Sequence, residues 1–192
     1  MRYLIDNYIE AEDAKKIGVF DDFTLLDFIL AQEQKLSDDN KDKKAKDSVA
    51  EAIENNIRKQ VVQKITINPA YYNKMSEVLE QLILDRKRGT LAYKQLLNKY
   101  LELAKSVTKP EDNTKYPESI RGKSALRSLY DNCGENEQLA LQLHKAVMKA
   151  KMDGFRGDLI KSRKVKRALF GILKDEDEVE RVYNIVVEQE EY

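Results

Sequence analysis

Breaker residues are scarce in this chain, and that scarcity constrains its fold more than any motif does. The 192 residues include 7 glycines and 3 prolines, and residues 19–68 contain neither. A polypeptide that runs so far without a turn former is poorly suited to a succession of short strands and well suited to long helices. Gly18, Pro69, Gly89, Pro110, Pro117, Gly122, Gly134, Gly154 and Gly157 all fall between periodic stretches, and Gly171 alone sits inside one.

The apolar spacing agrees. Met75, Val78, Leu79, Leu82 and Ile83 step by three and four after Pro69, as one face of a helix must. Tyr93, Leu96, Leu97, Tyr100, Leu101 and Ala104 repeat the pattern after Gly89, so a very short turn predicts an antiparallel helical hairpin. Further stripes run through Leu139, Leu143, Ala146, Val147 and Ala150, through Val165, Ala168, Leu169 and Ile172, and through Val179, Val182, Tyr183 and Val186.

Local signals set the expected boundaries. Asp22 reads as a cap before Leu25 and Leu26, Ser48 with Glu51 as a capping box, and Asn68-Pro69 as an N-cap followed by proline at the first helical position. Gly89 reads as a helix stop after the basic turn Arg86-Lys87-Arg88, with Thr90 opening the next helix. Val61–Ile67 is rich in β-branched residues, yet the preceding pattern predicts a continuing helix rather than a strand. The expected class is all-α, an irregular multi-helix bundle containing antiparallel helical hairpins. Its expected parts are an N-terminal helical segment, 1–34, a charged linker, 35–47, and a helical domain, 48–192.

Lys and Arg total 34, as do Asp and Glu, so no global field draws the chain to nucleic acid or to lipid headgroups. A single cysteine, Cys133, cannot form an internal disulfide, which fits a reducing compartment. The apolar runs fall short of the roughly 20 residues a membrane span needs. The expectation is a cytoplasmic protein without membrane contact.

Catalytic patterns are missing. The sequence has no G-x-x-x-x-G-K-[ST] loop, no G-x-S-x-G elbow, and no C-x-x-C or H-E-x-x-H pair. Asp39-Asn40-Lys41 and Asp42-Lys43-Lys44 imitate a nuclease fragment, but without the apolar strands that would hold carboxylates around a metal. His144 is the sole histidine and reads as structural. Cys133 lies at a helix end, where the dipole raises a thiol pKa. Neither a catalytic residue nor a metal or cofactor ligand is expected in this chain. Tyr71, Tyr72, Tyr93, Tyr100, Tyr130 and Tyr183 read as core-edge rings with their hydroxyls in water, the alternative being an aromatic contact surface.

Charge segregates near the end. Residues 156–174 carry seven bases and one acid, a local net of +6, and residues 175–192 carry eight acids and one base, a net of −7. Adjacent helices of opposite sign are expected to neutralise each other. The competing expectation is a basic strip of Lys161, Arg163, Lys164, Lys166 and Arg167 that contacts DNA phosphates.

A family resemblance rests on islands in fixed order. They include Tyr3–Ile9, Phe20–Leu26, Ala50–Arg58, Asn68–Ser76, Tyr116-Pro117-Glu118-Ser119-Ile120, Lys123–Asn132, Asp153-Gly154-Phe155-Arg156-Gly157 and Glu178–Tyr183. Together they resemble the C-terminal end of the restriction (R) subunit of type I restriction-modification enzymes, nearly end to end apart from Lys35–Asp47. One departure is Phe155, where that family often has tryptophan.

The resemblance implies a fragment behind the nuclease and the ATP- and magnesium-dependent motor of an endonuclease, itself without cofactor. It implies a non-catalytic helical domain that docks onto the methyltransferase core of modification and specificity subunits, beside the motor domains of its own R subunit. Candidate docking residues are those the periodicity leaves over: Tyr116, Pro117, Glu118, Arg127, Asp131, Asn132, Phe155, Arg156 and Gly157. Structural duties compete, since Pro117 and Gly157 suit turns and Asp131 and Asn132 suit a helix terminus.

Overall fold

The computed structural model describes residues 22–34, 43–112 and 115–192. Among these residues every regular element is helical: α1 (Asp22–Gln34), α2 (Lys43–Lys64), α3 (Pro69–Arg88), α4 (Tyr93–Thr108), a 3₁₀ turn (Pro110–Asp112), α5 (Glu118–Arg121), α6 (Ser124–Asn132), α7 (Glu137–Ala150), α8 (Leu159–Leu173) and α9 (Glu176–Val187). The all-α expectation holds. No helix among them is long and apolar enough to cross a membrane.

Several helix ends form as the sequence predicts. The Asn68 side chain accepts a hydrogen bond from the Tyr71 N–H at 3.3 Å, and Pro69 occupies the first turn. Gly89 adopts φ +66°, a left-handed conformation that costs a glycine little, and closes α3. Two caps that were not among the expected boundaries, Asp158 and Asp175, open α8 and α9, their side chains accepting from backbone N–H groups.

Two starts differ from expectation. Ser48 does not cap α2, which begins at Lys43; its hydroxyl donates to the Lys44 carbonyl at 3.0 Å. Lys43, Lys44, Ala45 and Lys46 are good helix formers, so the helix extends back into the charged stretch. The rest of that stretch, 35–42, lies outside the described residues, as do the Asp22 side chain expected to cap α1, the Tyr3–Ile9 island and the Asp39 triplet. Thr90 does not open α4 either. Its hydroxyl donates to the Asp85 carbonyl and finishes α3.

The helices form two groups. α1, α2, α3 and α4 pack on one another, α6, α7, α8 and α9 do likewise, and α3 against α6 joins the groups. A single cluster of buried side chains runs through both, from Leu25 and Ile29 of α1 to Val182 and Val186 of α9. Through Leu25 and Ile29, α1 shares this core with the other described helices. Each large apolar side chain so buried contributes about 1.5–3 kcal/mol against ordering entropy.

Candidate partner-docking surface

Polar side chains from distant islands meet inside the join between the two groups. Asp131, near the end of α6, accepts from the Asn68 Nδ2 at 2.6 Å and the Tyr116 hydroxyl at 2.7 Å, both on Oδ2. Asn132 donates from Nδ2 to the Asn68 Oδ1 at 2.8 Å and accepts the Ala70 N–H at 3.2 Å. The N-cap of α3 and the end of α6 thus hold each other. Burial pushes the Asp131 carboxyl above its ordinary range, against the opposing effect of its two donors. Burial and the bond to Asp131 together push the Tyr116 phenol far up, so it stays a neutral donor.

The other sequence candidates divide sharply. Arg127 is buried and donates to the Arg121 carbonyl at 2.6 Å, with Glu111 at 3.8 Å. Phe155 is 2% exposed and meets Tyr183 edge-on, ring centroids 6.5 Å apart. Arg156 lies at the surface, yet its guanidinium closes the end of α9, with Nε on the Val187 carbonyl at 2.8 Å and Nη2 on the Gln189 carbonyl at 2.5 Å. Pro117 precedes the first turn of α5. Glu118 and Gly157 are exposed. The set does not come together as one outer patch; most of it is internal framework.

A second buried cluster lay beyond the sequence reading. Arg86, read from the sequence as part of a basic last turn suiting the helix end, turns inward and donates to Glu54, Nε to Oε1 at 2.7 Å and Nη2 to Oε2 at 3.1 Å. Tyr100 donates its hydroxyl to the same Glu54 oxygen. That ring is 0% exposed, so its hydroxyl does not reach water as expected. Tyr71 likewise donates to the Ser106 carbonyl at 2.9 Å. The Glu54 bonds raise the Arg86 pKa still further, and burial raises that of Tyr100, so charge and neutral donor are both fixed.

Residues 188–192 are anchored as well. Gln189, 2% exposed, donates to the carbonyls of Ile67 at 2.7 Å and Ile185 at 3.0 Å. Glu191 accepts the Ser124 N–H at 2.6 Å. The Tyr192 hydroxyl lies 2.7 Å from the His144 Nδ1, and burial lowers the imidazole pKa. Burial also leads the upward shift of the Cys133 thiol. Among the described residues no group of three or more His, Cys, Asp or Glu is placed to hold a metal.

The surface that remains is on α8. Of its basic residues, Lys166 pairs with Glu180 at 2.6 Å and lies over the Tyr183 ring, and Lys161 donates to the Asp153 carbonyl at 2.7 Å. Arg163, Lys164 and Arg167 are exposed and have no ion pair among the described residues. Neutralisation by α9 is therefore partial. Compared with protein-family models, curated proteins and solved structures, the chain matches none.

Proposed function

We propose that this chain is a non-catalytic helical assembly domain, the C-terminal part of a type I restriction R subunit, which docks the ATP-driven motor and nuclease onto the methyltransferase core. One observation carries the reading. The islands that resemble that family converge in space: Asn68 with Tyr116, Asp131 and Asn132, Phe155 with Tyr183, and Arg156 on the end of α9. They act as the framework of one unit, and a domain that transmits force between partners needs such a framework. Docking then falls to side chains outside the framework. The test is competition: the isolated chain should displace intact R subunit from a cognate methyltransferase core, and failure to compete would remove the reading.

A second reading draws on Arg163, Lys164 and Arg167, which stand ready for phosphate on duplex passing through the motor. Affinity for random-sequence duplex should then fall steeply with salt and drop when the three become glutamine. Binding insensitive to both would eliminate it.

A further inference from the structure

Apolar side chains lie open where α7 hands over to α8. Met148 and Met152 are each 47% exposed, Leu159 is 76% and Ile160 is 80%. Such a group is more stable covered than in water. On α8, helical spacing puts Ile160, Arg163, Lys164, Arg167 and Gly171 on one outward face. A hollow of about 590 Å³ is lined there by Met152, Ile160, Lys161, Arg163, Lys164 and Arg167, together with Asp158, whose carboxylate is turned to the α8 backbone. On α7, helical spacing puts the exposed Leu141 and Met148 on one face, two turns or about 10 Å apart.

Gly171 supplies an independent observation. A Cβ at this position would meet nothing within 4 Å, so the chain's own packing does not require glycine. Inside a helix, glycine weakens the element. On an outward face, it lets another backbone come close.

We propose that the α7–α8 hollow is a docking groove for an acidic amphipathic helix of a partner protein. Apolar residues of such a helix would cover Met148, Met152 and Ile160, and its flanking carboxylates would pair with Arg163, Lys164 and Arg167. Methionines suit this use because they repack around different apolar shapes. DNA backbone is the poorer fit, since phosphates gain nothing from covering exposed Leu159 and Ile160. The inference deepens the assembly reading and rests on it for where the acidic helix resides, namely in the methyltransferase core.

The experiment titrates the chain with a designed helical peptide bearing leucine on one face and glutamate on the other, with a scrambled peptide of equal composition, and with random-sequence duplex DNA. The amphipathic peptide should bind, and the scrambled one should bind about tenfold more weakly or less. Arg163→Glu with Arg167→Glu, Ile160→Ser, and Gly171→Phe should each weaken the peptide about tenfold, with the helical circular dichroism unchanged. Equal binding of the two peptides, a preference for DNA, or self-association removed by the same changes would overturn the groove. Peptide binding without association with the core would sink the assembly reading and leave the groove. Core binding indifferent to these variants would do the reverse.

Discussion

Arg86 grips Glu54 across the α2–α3 interface through two hydrogen bonds, from Nε at 2.7 Å and from Nη2 at 3.1 Å, where neither side chain is more than 10% exposed. Two charges taken out of water are held by geometry, with Tyr100 completing the carboxylate's shell. Asp47 at 3.4 Å and Glu51 at 3.5 Å also face Arg86, so it is the loss of Arg86 that leaves the Glu54 carboxylate buried without a counter-ion. Arg86→Met should cost about 3–5 kcal/mol in urea unfolding. The triple change Glu54→Leu, Arg86→Met and Tyr100→Phe should recover most of that loss. A triple variant no more stable than the single one would show that the cluster contributes more than mutual compensation.

Asn68 acts both as a helix cap and as a partner of Asp131. At an ordinary N-cap, aspartate replaces asparagine without loss. Here Asn68→Asp would set a second carboxylate against Asp131, whose pKa burial already raises. Asn68→Asp should therefore destabilise by about 2 kcal/mol, as much as Asn68→Ala. The deficit should shrink as acid protonates the pair. Thermal melts of both variants across the carboxylate range decide it.

His144 should make stability depend on pH. Burial lowers its folded pKa below the ordinary 6.5. In the window between the folded value and 6.5 the unfolded chain binds the proton more readily, so stability rises with pH there and is lost as pH falls through it. His144→Gln should flatten this component of a Tm-against-pH curve. An unchanged slope would mean that another group carries it.

Gly171 lies within α8 with open space where a side chain would stand. Gly171→Ala should raise stability by about 1 kcal/mol, read from the urea midpoint. No gain would mean that the glycine relieves a strain not visible in its contacts.

The helices were legible because their signals are local. Asn68-Pro69 and Gly89 mark ends through their own backbone chemistry, and Leu143, Val147 and Ala150 mark a face by spacing alone. Long-range polar partners leave no such trace. Glu54 and Arg86 stand 32 positions apart, Asn68 and Asp131 63, and in a chain 35% charged no carboxylate announces which base it meets. Ser48 misled because a capping box describes an end, while the lysines before it extend the helix at little cost. The docking candidates are the residues that periodicity leaves over. Tyr116, Arg127, Asp131 and Asn132 proved to hold the bundle together by hydrogen bonds, a duty with no period. Gly171 was the readable hint of an outward-facing surface.

Sedimentation of this chain with a cognate methyltransferase core tests the central claim most directly. The account predicts that the two travel as one species and that intact R subunit releases the chain. Separate boundaries for chain and core at micromolar concentration would contradict it.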